Sequence, residues 1–391
     1  MRFLFTAGTA RGGTNFRTLM LNNHPRIRMS LDPFIPLFRF YRDSLLRSVG
    51  EEQLLSQLPS VNVLDDYYYS KTKLKIMRLI QQSDPDIEFD MSAWDELKAA
   101  IAGRMQLASV DLAAHLDKLP APSFREVFRN TMQVIAATSE VADELDWVGF
   151  NDNWTMEFIP LIARLDPEAK FMLHLRDPRA VVNSSEFAEP DPAKRPTIVS
   201  FARHLRKYYA FATVLPRDPV LEDRLLITGY ERFIEDPERE VRSMTDFLEM
   251  DFRPEMTDIS RFRKADGNQW PSDAAIYKTS AEIWRQEMPR DMVELTEFIC
   301  DPEMRLHGYH PEIYDDNIGL SHSAFEFALT NFRDCLGWRT DYPEVERMLG
   351  GEFYRKQMLR AGSEYPDDEI ERCFLFTDVY RKLGKLAEPS E

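Results

Sequence analysis

Three cysteines in 391 residues (Cys300, Cys335 and Cys373) are too few and too scattered for a disulfide framework or a cysteine zinc site. They suit a reducing compartment. No run of about eighteen apolar residues occurs, which removes a membrane-spanning helix. Positive charge is scarce as well. The 49 Lys and Arg stand against 66 Asp and Glu, and the formal net charge of −17 disfavours nucleic acid or an anionic membrane as partner. An apolar stretch starts at Met1 and leaves no room for a secretory leader, so a cytoplasmic protein is expected. The most informative absence is local. Gly8 and Gly13 keep the GxxxxG spacing of a nucleotide P-loop, yet Thr14-Asn15 follows where Lys-Ser or Lys-Thr is usual.

What is present points to an α/β fold. Residues 1–7, 147–150, 171–175 and 224–228 are short, largely apolar runs that read as buried strands. Helical patterns follow them at 15–23, 155–165, 179 onward and 238–248. This alternation predicts a central parallel sheet flanked by helices. Residues 34–146 read as a mostly helical insertion, with helices at 34–48, 92–118 and 124–142 and loops at 59–65 and 83–88. Tyr67-Tyr68-Tyr69 reads as part of a helix packed on the core. Another helix is expected at 281–300, and 321–386 reads as helical with breaks at Gly350-Gly351 and Tyr365-Pro366. The expected division is a domain over 1–311 and a helical C-terminal extension over 312–391, serving dimerisation (a homodimer) or covering the site.

Charge is unevenly placed. Residues 1–33 hold five Arg and one Asp, residues 171–210 seven basic and four acidic side chains, and residues 312–391 ten basic and seventeen acidic. Two basic windows in an acidic chain are candidates for one anionic ligand. In the first, small residues let backbone N–H groups converge on a point to which the helix dipole adds positive potential. Arg11 is the cation inside that turn. A loop without the lysine and the metal-ligating hydroxyl should hold its anion without a metal. In the second window Arg176 ends a strand and Ser184 follows eight residues later, two turns into a helix. An Arg fork and a hydroxyl suit a phosphate. Equally, Asp177-Pro178 could cap that helix while Arg176 makes a structural salt bridge.

Taken together, these segments resemble the nucleotide-dependent sulfotransferase superfamily. Thr9-Ala10-Arg11-Gly12-Gly13-Thr14-Asn15 is similar to its 5′-phosphosulfate loop, and Arg176 to Ser184 is similar to its 3′-phosphate motif. Tyr230-Glu231-Arg232-Phe233-Ile234-Glu235-Asp236-Pro237 resembles a third motif, and Lys278 with Trp284-Arg285 a fourth. The likeness covers about residues 1–33 and 147–311. It implies 3′-phosphoadenosine 5′-phosphosulfate (PAPS) as donor, its desulfated form PAP as product, and no metal. Arg11, Gly12, Gly13, Thr14 and Asn15 would hold the 5′ end, Arg176 and Ser184 the 3′-phosphate, and Tyr230 and Lys278 the rest of the nucleotide. Arg11 would stabilise charge on the leaving oxygen.

The acceptor's proton needs a base. The family places an acidic residue, usually Glu, after the His-Pro that follows the first helix, and here Asp32 follows His24-Pro25. Asp32 could also N-cap a helix beginning at Pro33. His174 is a second candidate, although inside an apolar strand it reads as a core residue, and His24 reads as a turn cap. Where relatives carry Lys-Thr-Pro, this chain has Asn151-Asp152-Asn153, so Asp152 is a further candidate base. The expected function is sulfuryl transfer to a hydroxyl or amine of a small-molecule acceptor. The rivals are a non-catalytic nucleotide or sulfated-ligand binding module and a kinase-like P-loop phosphotransferase.

Overall fold

A computed structural model describes residues 1–9, 11–58, 67–106, 109–188, 198–258, 260, 280–330 and 342–387. The strands are β1 (Arg2–Gly8), β2 (Ile27–Leu31), β3 (Trp147–Asn151), β4 (Lys170–Leu175) and β5 (Leu225–Gly229). The helices used below begin with α1 (Thr14–Asn22), α2 (Ile35–Ser48), α3 (Lys71–Gln82), α4 (Trp94–Met105), α5 (Phe124–Ala136) and α6 (Ile159–Leu165). They continue with α7 (Pro178–Ala188), α8 (Ile198–Val214), α9 (Tyr230–Glu235), α10 (Pro237–Phe247), α11 (Trp284–Glu287) and α12 (Arg290–Cys300). The C-terminal stretch forms α13 (His322–Thr330), α14 (Tyr342–Ala361), α15 (Asp367–Phe374) and α16 (Thr377–Ala387). No helix among the described residues is long and apolar enough to cross a membrane.

The chain divides into two compact units. The first comprises Met1–Leu58, Ile76–Leu175 and Asp218–Lys278, and it carries the whole sheet in the order β2-β3-β1-β4-β5, every pair parallel. Side chains alternate between faces along each strand. On one face Leu4, Trp147 and Met172 meet Phe16, Met20 and Leu21 of α1 and Val241 and Met244 of α10. On the other, Phe3, Phe5 and Phe150 form an aromatic layer with Phe38 of α2 and Phe128 of α5, ring centroids 5.0–6.5 Å apart. Burial on both faces explains why these strands lack polar alternation. The connection after β1 runs toward β2 and that after β4 toward β5. The carboxyl ends of β1 and β4 therefore border a crevice of the kind that open α/β sheets use for ligands.

β2 is not among the four apolar runs that read as strands in the sequence. Ile27 and Met29 are buried beside β3, while Arg28 between them is partly exposed and salt-bridged to Asp111 at 2.6 Å. An edge strand with a charged residue inside it lacks the apolar run that marks the other four. The helix at 124–142 ends at Ala136, and the 92–118 stretch holds α4 and a 3-10 segment at Val110–Lys118.

The second unit comprises Pro59–Lys75, Arg176–Arg217 and Thr279–Glu391. Tyr67-Tyr68-Tyr69 is not helical. It forms a turn before α3, Tyr69 has φ +61°, and the Tyr68 ring lies 3.7 Å from the Arg206 guanidinium. Gly350-Gly351 does not break its helix either, because α14 runs through both. A Cβ on Gly351 would stand 2.7 Å from the Tyr69 ring, so the glycine serves close approach rather than a break. Arg206 of α8 pairs with Glu352 of α14, and Arg355 pairs with Glu303 at 2.6 Å and Glu352 at 3.0 Å. All four side chains are fully buried. Residues of the C-terminal stretch thus share one ionic core with α8. The proposed loop at 59–65 lies outside the described residues.

Gly149 holds β3 against β1. A Cβ there would stand 1.7 Å from the Leu4 carbonyl oxygen, which is backbone and cannot rotate away. Gly149→Ala is expected to destabilise the protein by about 2–4 kcal/mol in a urea titration.

Candidate functional site

β1 ends at Gly8 in the middle of the sheet, and the chain turns at once into α1. The turn is closed by Gly12 N–H donating to the Thr9 carbonyl at 2.8 Å. Arg11 and Gly13 take left-handed backbone angles, φ +61° and +89°. A Cβ on Gly13 would stand 2.3 Å from the Tyr230 ring, and one on Gly12 would stand 2.1 Å from Thr9 Oγ1. Only glycine satisfies both positions. α1 then starts at Thr14 with no side-chain cap and no acidic residue in its first turn. Its leading N–H groups stay available to an anion. The buried Thr9 hydroxyl has no hydrogen-bond partner among the described residues, a second donor inside the same turn. Behind the loop, the His174 carbonyl accepts from Thr9 N–H at 3.3 Å, while His174 Nδ1 lies 2.7 Å from Thr228 Oγ1. His174 is fully buried, the core residue its strand suggests. His24 Nδ1 accepts from Arg26 N–H at 3.2 Å and caps the turn after α1.

A carboxylate group forms at the carboxyl ends of β2 and β3. Asp32 follows β2 with φ +45°, and its N–H donates to the Asn151 carbonyl at 2.7 Å. Its Oδ1 accepts from Asn151 Nδ2 and from Asn153 N–H, both at 3.3 Å. Arg104 of α4 approaches Oδ2 at 4.0 Å. Asp32 is not a helix cap, since α2 begins three residues later with Phe34 at its cap position and no side-chain cap bond. Asp152 is wholly buried, and its Oδ1 accepts from Trp154 N–H at 2.9 Å.

Burial raises the proton affinity of both carboxyls. Asp32 is pushed up to about 6 by loss of water, against the pull of Arg104, Asn153 N–H and the Asn151 amide. Asp152 is raised well above the usual carboxylate range by burial and then by the Asp32 charge. Two carboxyls that oppose each other's ionisation keep one proton between them near neutrality. Asp152 holds it and Asp32 ionises first.

Arg11 (exposed), Gly12, Gly13, Thr14, Asn15 (exposed), Asp32 and Tyr230 all belong to the first unit. Arg176 and Ser184 belong to the second unit. There the buried Arg176 donates to the Ser280 carbonyl at 2.7 Å, and Tyr209 Oη–H donates to the Arg176 carbonyl at 2.7 Å. Asp177 caps α7 by accepting from Arg179 N–H at 2.9 Å and also binds the Arg179 guanidinium. Ser184 is half-buried on α7. Lys278 lies outside the described residues. Sequence reasoning passed over Arg17, Thr6 and Arg104. Arg17 had one signal, a lone cation between Phe16 and the buried Met20-Leu21 pair. Arg104 had none, 72 residues from Asp32.

The chain matches the Sulfotransferase family model over residues 4–254. It is 32% identical over 130 residues to a Caenorhabditis elegans protein named "Putative protein-tyrosine sulfotransferase", covering 32% of this chain and 47% of that one. It is 26% identical over 175 residues to Carbohydrate sulfotransferase 3 of Tetronarce californica, covering 39% of each. The chain spans less than half the length of these relatives. Among solved structures it is similar to the sulfotransferase domain of the Synechococcus PCC 7002 olefin synthase. That likeness has 15% identity and a TM-score of 0.41, and it covers 76% of this chain and 94% of that one.

The raised Asp32 carboxyl has a consequence for stability. Its proton is held more tightly in the folded chain than in the unfolded one, so folding is favoured at low pH and loses that contribution as pH rises through about 6. Asp32→Asn is expected to raise the melting midpoint by about 2–4 °C at pH 7.5. The gap should narrow as pH falls from 6 toward 3.8, as followed by calorimetry.

Proposed function

Because the chain belongs to the sulfotransferase family, we propose that it moves a sulfuryl group from PAPS to a hydroxyl or amine of a small-molecule acceptor, with Asp32 as general base. One observation carries this reading. A carboxylate whose proton affinity lies near 6 is joined through the Asn151 amide to Arg17, on the helix that the anion-binding turn opens. A base poised near working pH can take a proton in the transition state without being permanently protonated.

The residues present suit the nucleotide's 5′ end. The first-turn N–H groups of α1, the uncapped helix terminus and the Thr9 hydroxyl supply donors, and no carboxylate stands in the first turn of α1 to repel an anion. When bound, PAPS supplies the sulfuryl group. Arg11 offers a fixed positive charge beside the turn, and as a guanidinium it stabilises charge rather than delivering a proton. Arg176 and Ser184 are assigned to the 3′-phosphate on their motif alone. Asp32 accepts the acceptor's proton, while Asp152 keeps its own.

The named relatives point to protein tyrosine and carbohydrate as acceptors of those proteins. A cytoplasmic setting is part of the same proposal, supported by Cys300 and Cys373 being free and buried.

A sulfate-transfer screen with labelled PAPS and a metabolite extract, run on the full chain and its variants, tests the proposal. Arg11→Ala is expected to lower kcat by about 10²–10³-fold. Asp32→Asn should lower it by about 10²-fold or more while PAP affinity measured by calorimetry stays unchanged. The wild-type kcat should fall below pH about 6, where Asp32 takes up its proton. Full turnover by Asp32→Asn would overturn the base assignment.

A further inference from the structure

Arg17 is an unusual residue to bury. It lies in the first turn of α1 with no exposed surface. Burial alone acts on its guanidinium, pushing it down to about 9, and no nearby carboxylate opposes that push. It still carries its charge at neutral pH. Taking a guanidinium out of water without an anion costs several kcal/mol. Neighbours that compensate must therefore be acceptors, and those on hand are neutral. They are the Ala7 carbonyl at 3.4 and 3.5 Å and Asn151 Oδ1 at 3.1 Å. Arg17 Nε has no hydrogen-bond partner among the described residues.

Arg17 decides the orientation of Asn151. A guanidinium only donates, so the amide must turn its oxygen toward Arg17. Thr6 Oγ1–H donates to the same oxygen at 3.1 Å. The amide nitrogen is then directed the other way, where it donates to Asp32 Oδ1 and Asn153 Oδ1 at 3.3 Å each. The sheet makes this arrangement possible, because Thr6 and Asn151 are register partners on β1 and β3.

We propose that Asn151 is a positioning residue for Asp32, its amide locked by Arg17 and Thr6 so that Nδ2 faces the Asp32 carboxylate. The inference rests on the reading of Asp32 as base, but its test does not use turnover. The charged groups facing Asp32 are Arg104 from α4, Asp152 after β3, and Arg17 through the Asn151 amide. Arg104 attracts the charged form against the loss of water. The amide supplies a donor from the buried side, and it holds the carboxylate in place on a backbone at φ +45°. Without that donor, Asp32 ionises less readily.

The experiment is a carbon NMR titration of the full chain labelled at the aspartate carboxyl carbon. Asp32→Asn and Asp152→Asn assign the two resonances. In Asn151→Leu, which keeps volume and removes the amide, the first titration step of the pair should move upward by about one pH unit. Arg17→Met removes the buried charge without leaving a void, so it should melt at or above the wild-type temperature. It frees the amide to turn, and the same step should move in the same direction. A merely structural role for either residue leaves the titration in place. An unmoved step in an Asn151→Leu protein that melts cooperatively overturns the proposal. Where Asn151→Leu does not fold, an unmoved step in Arg17→Met overturns it equally. Loss of turnover in Asp32→Asn is a separate reading, so failure of the base assignment and failure of the positioning role are told apart.

Discussion

Register in the parallel sheet is the constraint on which the first unit depends. Thr6 stands opposite Asn151 and Gly8 opposite His174, so polar side chains from three strands reach one face at one end. That face is the one α1 covers. A slip of one residue in β3 would turn Asn151 toward the aromatic layer of Phe5, Phe38 and Phe128 and set Phe150 against Arg17. The amide would then be buried without a partner, and so would the guanidinium. The slip is opposed twice, by the aromatic layer on one side and by the Leu4–Gly149 approach on the other. The glycine-rich turn follows from the same placement, because β1 ends in the centre of the sheet and leaves no room for a longer connection.

Within that frame, opposite charges are kept apart by one amide. Direct contact between Arg17 and Asp32 would hold the carboxyl far below its present value near 6. Such a group is a poor base at neutral pH because it has little tendency to take a proton. Placing Asn151 between them gives the carboxylate orientation and one donor while leaving it weakly basic.

The second unit uses the same chemistry to the opposite end. Burial pushes Glu352 up, but Arg206, Arg355 and Arg203 outweigh it and hold the carboxyl below its usual range. Contact there is direct, with Arg355 Nε at 3.0 Å and Arg203 at 3.5 Å. Carboxylates so held stay charged and serve as fixed struts between α8 and α14. Breaking one partner of such a group leaves an uncompensated buried charge, which is why these ions tie the C-terminal helices to α8. The two carboxyls differ in the number and distance of their cations, three arginines around Glu352 and Arg104 alone at 4.0 Å from Asp32.

The sequence by itself determined the strands that are buried on both faces and the turn built on Gly8, Gly12 and Gly13. These are local properties, set by side-chain bulk and backbone freedom within a few residues. β2 escaped because an edge strand tolerates Arg28 in its middle. The helix through Gly350-Gly351 escaped because the reason for Gly351 is the distant ring of Tyr69. The tertiary structure alone decided that Asp32 does not cap α2 and that its carboxylate turns to Asn151 and Asn153. It also decided that Arg17 and Arg104, 134 residues from Asn151 and 72 from Asp32 respectively, belong to the site. Electrostatic neighbours are fixed by strand register and helix packing, and no local pattern encodes them.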